Sequence, residues 1–293
     1  MMLNRLSKCA SRLDIPNPCV VSFVFAIWLS GSTAHAQLVD SFNAPRSNCC
    51  LINSAKGLAD QLQDWNQLGR YYQANQQLKQ QPAPANRVVF MGDSITDFWN
   101  LAQYFPGKPY VNRGIGGQTT PQMLVRMYPD VVDLKPAAMV LLAGTNDIAR
   151  NTGPATAEMI QQNIMAMTEL AQLHGMKVIL CAVLPVSDYP YLRQQSTPAG
   201  NTAPNAAQGA RGAAPPPVKM TEGHPAADIL KLNAWMKSYA AKVNAIYADY
   251  FSAFVDEKGW LKDGYSADGL HPNAEGYKVM TEVLTAALQK ALP

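Results

Sequence analysis

The sequence lacks an excess of charge of either sign. Its 293 residues include 24 Lys and Arg against 21 Asp and Glu, a net charge of +3 at pH 7. Residues 1–36 contain three of the basic residues and one acidic residue, so the remaining chain has 21 basic against 20 acidic. A chain so nearly neutral gives no electrostatic reason to expect nucleic-acid binding or docking to an anionic membrane.

Long hydrophobic runs are also missing. The apolar run at residues 19–29 is shorter than the ~20 residues that a membrane-spanning helix needs. It follows a basic start ending at Arg12 and precedes Ala34-His35-Ala36, an arrangement typical of a signal peptide. We therefore expect cleavage before Gln37 and a secreted or periplasmic chain without stable membrane insertion. Retention of residues 1–36 as an anchor is the alternative.

Cysteine is scarce. Two of the five cysteines fall within residues 1–36, which leaves Cys49, Cys50 and Cys181. In an oxidising compartment this odd number allows one disulfide and one free thiol, but the sequence does not pair them. Cys49 and Cys50 lack the small-residue context of lipid attachment behind a signal, so the pattern does not favour a lipoprotein.

Beyond the predicted signal peptide, the pattern indicates an N-terminal helical extension at 37–86 and one domain at 87–293. Within the extension, six apolar residues recur at intervals of three and four: Ala55, Leu58, Leu62, Trp65, Leu68 and Tyr72. This spacing predicts an amphipathic helix over residues 53–79, which Gln81-Pro82-Ala83-Pro84 ends.

From residue 87 onwards, short apolar runs alternate with helical patterns. Strands are expected at 87–91, near 110–111, at 137–142, at 177–183 and near 245–247, and helices at about 119–133, 155–174, 228–243 and 274–291. This alternation predicts an α/β fold of three layers, α/β/α, with a central parallel sheet. Ligands of such folds bind beyond the carboxyl ends of the strands.

One stretch does not fit a compact domain. Of the 21 residues from Thr197 to Pro217, 15 are Ala, Pro or Gly, which leaves almost nothing to bury. We predict a disordered insertion at about 190–225. A tolerated surface insertion is the favoured interpretation, and a lid over the site is the alternative.

The first candidate for chemistry is Ser94, in Gly92-Asp93-Ser94-Ile95-Thr96 directly after the first strand. A serine on such a turn presents its hydroxyl at the edge of the sheet, although a helix cap by Ser94 or Asp93 would explain the motif alone. A hydroxyl also needs a base to act as a nucleophile.

Asp268-Gly269-Leu270-His271, just before the last predicted helix, offers that base. The aspartate can fix the imidazole tautomer so that the other ring nitrogen faces a serine. The alternatives are a surface histidine or a metal pair, but His174 and His224 lie in unrelated contexts, so no metal or other cofactor is expected.

Two further segments follow strands and could donate to a developing oxyanion. Asn112–Thr120 includes Gly114, Gly116 and Gly117, and Gly144-Thr145-Asn146-Asp147 follows the third strand. A dinucleotide loop is a poor alternative for the first, because Thr119 occupies the place of its third glycine. For the second, the alternative is a helix cap by Asn146 or Asp147.

Together these segments resemble the four blocks of the SGNH, or GDSL, hydrolases. Gly92-Asp93-Ser94 matches the first block, Gly117 the second, Gly144-x-Asn146-Asp147 the third and Asp268-x-x-His271 the last. The resemblance covers residues 87–293. The sequence around the second and last blocks is similar to bacterial esterases related to lysophospholipases and acetylhydrolases.

The resemblance implies a flavodoxin-like sheet and a serine esterase that needs no cofactor. Ser94 would be the nucleophile, His271 the base and Asp268 its orienting partner. The backbone N–H groups of Ser94 and Gly117 and the side-chain amide of Asn146 would form the oxyanion hole.

The natural substrate does not follow from the motifs. A small-molecule or carbohydrate ester with a short acyl group, such as acetyl, is favoured because no large apolar lid is evident. Residues expected to line the site are Asp93, Asp97, Phe98, Trp99, Arg113, Tyr189 and Tyr191. An acyltransferase on the same fold and a non-catalytic extracellular carbohydrate-binding protein are the alternative functions.

Overall fold

A parallel sheet forms the centre of the fold. The computed structural model describes residues 62–196 and 219–292. The strands in these ranges are Val88–Gly92 (β1), Tyr110–Gly114 (β2), Ala138–Leu142 (β3), Lys177–Cys181 (β4) and Ile246–Ala248 (β5). They lie in the order β2-β1-β3-β4-β5 with every neighbouring pair parallel, which is the order of flavodoxin-like folds.

Helices connect the strands and cover both faces of the sheet. They are Tyr72–Lys79 (α1), Ser94–Asp97 (α2), Leu101–Tyr104 (α3), Thr120–Val125 (α4), Met127–Asp130 (α5), Thr145–Ile148 (α6), Ala157–Leu173 (α7), Tyr189–Ser196 (α8), Met220–Gly223 (α9), Ala226–Lys242 (α10), Tyr250–Phe254 (α11) and Ala274–Ala291 (α12). Short 3₁₀ turns lie at Val132–Leu134 and Asp263–Tyr265.

Alternate residues of each central strand belong to two separate cores. Val88 and Phe90 of β1 pack on one face in a cluster that includes Met280 of α12. Val89 and Met91 pack on the other face, in the cluster that contains the buried sides of α7 and α10. All five residues of β1 and of β3 are buried, as expected for strands covered on both faces. The predicted three-layer α/β/α fold is confirmed.

The helix predicted over 119–133 is interrupted. It divides into α4, α5 and the 3₁₀ turn at Val132–Leu134. Pro129 explains the break, because it has no N–H to donate to the carbonyl of Val125, four residues earlier. The other predicted helices of this domain match α7, α10 and α12 within two residues at each end.

The amphipathic helix predicted over 53–79 is wrong for residues 64–71. Residues 62 and 63 are helical, residues 64–71 are turns and irregular backbone, and α1 follows them. The Asp64 carboxylate accepts the backbone N–H groups of Leu68 and Gly69 at 2.8 Å each, and Gln67 adopts a left-handed φ of 56°. These local bonds compete with the helix, and Leu62, Trp65, Leu68 and Tyr72 are exposed. Residues 53–61 lie outside the described ranges.

The disorder predicted over 190–225 is wrong at both ends of that range. Most of α8 and all of α9 lie inside that range, so its two ends are helical. The Thr221 hydroxyl and backbone N–H both donate to the Asp188 carboxylate, which joins the two ends directly. Residues 197–218 lie outside the described ranges, as do residues 1–36 and the pair Cys49 and Cys50.

Candidate active site

Ser94 lies at the carboxyl end of β1, on the first turn of α2. Asp93 caps this helix, since its Oδ1 accepts the backbone N–H of Ile95 at 3.0 Å. Gly92 allows the sharp turn, because a Cβ there would lie 2.1 Å from Thr96 Oγ1. In the described part of the chain nothing accepts a hydrogen bond from the Ser94 backbone N–H. The turn therefore presents both the hydroxyl and a free N–H of Ser94.

His271 and Asp268 complete a hydrogen-bonded chain with this serine. His271 Nε2 lies 2.9 Å from Ser94 Oγ, and His271 Nδ1 lies 2.6 Å from Asp268 Oδ2. An ionised carboxylate can only accept, so Nδ1 carries the proton in the neutral ring and Nε2 accepts from the Ser94 hydroxyl. The arrangement has the order nucleophile, base and orienting carboxylate that a serine hydrolase requires.

The Asp268 carboxylate is held ionised by its surroundings. Burial raises its pKa, but hydrogen bonds from the His271 ring and from the backbone N–H groups of His271 and Leu270 outweigh burial and lower the pKa below its ordinary range. These two N–H groups lie 2.8 and 2.9 Å from Asp268 Oδ1. One oxygen thus shapes the turn, while the other orients the imidazole.

Gly269 joins the same turn to the segment that follows β4. Its backbone oxygen accepts the N–H of Ser187 at 2.9 Å, and its φ is +86°. A Cβ at Gly269 would lie 2.1 Å from the Ser187 oxygen. Only glycine fits this close approach in a left-handed conformation, so the position of His271 depends on it.

The candidate oxyanion donors come from the loops after β2 and β3. Asn146 Nδ2 donates to the Gln118 oxygen at 3.0 Å, and Asn151 Nδ2 donates to Asn146 Oδ1 at 2.8 Å. These two bonds orient the Asn146 amide, and one N–H of its NH₂ group has no acceptor in the described part of the chain. Gly117 has a φ of +78°, and its backbone N–H has no acceptor among the described residues.

Two further side chains, Asn151 and Asp147, connect these loops, and no sequence motif identifies Asn151. Asn151 also donates to the Gly117 oxygen, at 3.3 Å, and so connects both candidate donors. Asp147 does not cap α6, contrary to the alternative considered for it. Its carboxylate instead accepts the N–H and hydroxyl of Thr120, at 3.0 and 2.6 Å, which joins the third block to the second.

Three residues expected to contact substrate are buried instead. Asp93, Trp99 and Arg113 have 1%, 2% and 4% of their surface exposed. Asp93 caps α2, and burial raises its pKa to about 7. Trp99 packs against Phe90 in the core. The low exposure of these three side chains argues against direct contact with a substrate.

Asp97 and Phe98 remain accessible beside the site. Asp97 Oδ2 accepts the Gly116 N–H at 3.2 Å, and its Oδ1 pairs with Arg70 at 3.4 Å. Phe98 is 60% exposed, and the centre of its ring lies 5.3 Å from that of His271. Phe98 is therefore the large apolar side chain next to the candidate base.

The fold and this constellation define a class, the α/β/α hydrolases with a Ser-His-Asp arrangement at the carboxyl edge of the sheet. The chain belongs to the GDSL-like Lipase/Acylhydrolase family, whose model matches residues 90–279. This family consists of enzymes that cleave ester bonds, as the resemblance in the four blocks indicates.

Individual relatives agree with the family. A GDSL-like lipase structure from Bacteroides thetaiotaomicron is 33% identical, with a TM-score of 0.62 over 78% of this chain and 99% of that one. Esterase TesA of Pseudomonas aeruginosa is 36% identical over 35% of this chain and 57% of its own length. Lipoprotein YqeF of Bacillus subtilis is 31% identical over 34% of this chain and 49% of its own. The chain thus spans about half the length of the curated relatives it matches.

Proposed function

We propose that the protein is a serine esterase in which Ser94, His271 and Asp268 form the catalytic triad. The observation that carries this proposal is the unbroken hydrogen-bonded chain from Ser94 Oγ through the His271 ring to Asp268, with distances of 2.9 and 2.6 Å. Ser94 lies 177 residues before His271 in the sequence, yet the three side chains meet in the order that nucleophilic catalysis requires, inside the region that matches the family.

The reaction proceeds in two halves. His271 Nε2 takes the proton of Ser94 as Oγ attacks the ester carbonyl, and the carbonyl π electrons move to the oxygen. When the tetrahedral intermediate collapses, the bond to the leaving alcohol breaks and His271 returns the proton to that alcohol. Water then attacks the acyl-serine by the same route, which releases the acid and restores Ser94. Asp268 stabilises the imidazolium in both halves.

The oxyanion of each tetrahedral intermediate would be held by three donors: the backbone N–H groups of Ser94 and Gly117 and the free N–H of Asn146. Support comes from their lack of other acceptors in the described chain and from the bonds that orient the Asn146 amide. Such donors act on charge that develops only in the transition state, so losing one lowers turnover by ~10²–10³-fold.

The substrate we propose is a short-chain ester, with acetyl esters of carbohydrates as the favoured class. The triad lies near the surface, with 28% of the His271 side chain and 48% of the Asp268 side chain exposed. An exposed aromatic ring such as Phe98, next to the base, suits stacking against a sugar ring. The expected acyl-length profile falls from acetyl to palmitoyl esters, and a profile that rises with length would contradict this substrate class.

The esterase proposal is tested by hydrolysis of p-nitrophenyl acetate, with and without a chelator, in the wild-type protein and Ser94→Ala. Activity that survives chelation and is lost in Ser94→Ala supports the triad. Labelling of the wild-type protein by an active-site phosphonate provides an independent readout. If the two proteins are equally active, Ser94 is not the nucleophile. Saccharide binding by an inactive protein that is unchanged in Ser94→Ala would favour a binding protein instead.

We further propose that the protein acts outside the cytoplasm, after removal of residues 1–36. In the described residues no helix is long and apolar enough to cross a membrane, and one relative, YqeF, is named a lipoprotein. Expression of the full chain followed by N-terminal sequencing of the exported product is expected to begin at Gln37. Recovery of an uncleaved chain in the membrane fraction would instead support retention of residues 1–36 as a membrane anchor.

A further inference from the structure

The region before the family match contacts the loop that carries Gly117. The matched region begins at residue 90, yet residues 65–75 make a series of hydrogen bonds to residues 113–122. We name residues 65–75 the N-terminal brace. The Tyr71 hydroxyl donates to the Gly114 oxygen, and the Arg113 guanidinium lies 4.6 Å from the centre of the Tyr71 ring. These two contacts hold the end of β2, where the loop begins.

Further contacts lie on either side of the loop, in β2 and in the helices α4 and α5. Gln122 Nε2 donates to the Trp65 oxygen at 2.6 Å. The buried Asn75 accepts from Arg113 Nε at 2.9 Å and donates to the Asp130 carboxylate at 2.6 Å. The brace therefore contacts the β2 loop at its start and at the helix that follows.

Gln118 connects the brace to the candidate oxyanion hole. Its side chain is 1% exposed and bridges two groups: Nε2 donates to the Asn66 oxygen at 2.9 Å, and Oε1 accepts from Arg126 Nε at 2.8 Å. Its backbone oxygen accepts the Asn146 amide at 3.0 Å, and Gly117 is the preceding residue. Gln118 thus touches both candidate donors other than Ser94 itself.

We infer that the N-terminal brace is a positioning element of the oxyanion hole, acting through the Gly114–Gln118 loop. This inference rests on the proposed esterase function. The brace need not touch substrate; its hydrogen bonds fix where the Gly117 N–H and the Asn146 amide point. Since preorganised donors act through their placement, displacing the loop should weaken transition-state binding and leave substrate binding unchanged.

The test compares Tyr71→Phe with the matched variant Tyr72→Phe. Tyr71→Phe removes one hydroxyl that bonds to Gly114 and keeps the ring over Arg113. Tyr72 is exposed, and its hydroxyl has no hydrogen bond in the described part of the chain. The measurements are kcat and KM for p-nitrophenyl acetate, inhibition by phenylboronic acid, and Tm. Dividing the maximal rate by the concentration of serine titrated with the phosphonate gives a kcat to which misfolded protein does not contribute.

We expect Tyr71→Phe to lower kcat by roughly 10-fold, below the ~10²-fold that a 1 Å misplacement can cause. The inhibition constant of phenylboronic acid, whose tetrahedral adduct mimics the intermediate, should rise by a similar factor while KM stays constant. Tyr72→Phe should match wild type. If Tyr71→Phe keeps the wild-type kcat per titrated serine and only its Tm falls, the brace is merely structural and the inference is overturned. A wild-type protein that phosphonate does not label would instead refute the esterase function on which it rests.

Discussion

The substitution Asp268→Asn separates the two roles of this carboxylate. In the wild type, Oδ1 accepts the backbone N–H groups of Leu270 and His271, and Oδ2 accepts the His271 ring at 2.6 Å. Asparagine keeps an oxygen for the turn but places an NH₂ group opposite Nδ1. The neutral ring must then carry its proton on Nε2, where it can no longer accept from Ser94.

We expect kcat to fall by about 10⁴-fold in Asp268→Asn, as for other triads that hold the wrong tautomer. KM and Tm should change little, because the turn remains bonded. Turnover is measured with p-nitrophenyl acetate in a stopped assay of high sensitivity. Ser94→Ala defines the background rate.

Asp133→Asn is the matched control. The Asp133 side chain is 45% exposed, close to the 48% of Asp268, and it pairs with Lys79 at 3.3 Å. It precedes β3 and so lies at the amino edge of the sheet, and a surface pair of this kind contributes only ~0–1 kcal/mol. The control should keep full activity. A loss of less than about 10-fold in Asp268→Asn would refute the assigned tautomer and the role of Asp268.

Three further predictions concern the supports of the site. Burial raises the pKa of Asp93 to about 7 from 3.8, so its folded state binds the proton more tightly and stability falls as pH rises between these values. Asp93→Asn should flatten Tm against pH in this window, and an unchanged slope would contradict the burial argument. Gly269→Ala should destabilise the protein in urea by more than Gly259→Ala, because both have positive φ but only Gly269 lacks space; equal losses would exclude the steric cause. Asn151→Ala should lower kcat by less than the ~10²-fold expected for Asn146→Ala, and the double variant should match Asn146→Ala alone; additive losses would mean that Asn151 acts independently.

Much of the fold could be predicted because the central strands are buried on both faces. Such strands have continuous apolar runs, and their alternation with helical periods identifies a parallel sheet. The loops after these strands could be identified as candidate sites because ligands of parallel α/β sheets bind beyond the carboxyl ends of the strands. The N-terminal helix was mispredicted because spacing reports only which side chains are apolar. It does not report that Asp64 accepts the N–H groups of Leu68 and Gly69, which ends the helical pattern.

Adjacent aromatic residues show a second limit. Trp99 and Phe98 looked equivalent in the sequence, yet Trp99 packs into the core and Phe98 is exposed beside His271. Successive side chains on a helical turn point in different directions. An element as short as α2 has no hydrophobic periodicity from which the buried side could be predicted. Gln118 and Asn151 were missed for a related reason, since their partners lie in other loops and only the folded chain brings them together.

The order of the strands explains why these loops converge. The chain passes from β1 to β2 on one side and returns to β3 on the other, so β1 lies at the switch point of the sheet. The register aligns Gly92 with Gly114 and with Leu142, which ends all three strands at the same level. The residue two positions after Gly92 is Ser94, and a Cβ on Gly116, two positions after Gly114, would lie 3.7 Å from its Cβ. A nucleophile on the central strand can therefore receive donors from both neighbours. A serine after β4 or β5 would lie beyond the reach of the β2 loop, whereas β1 lies between the two strands whose loops carry the candidate donors.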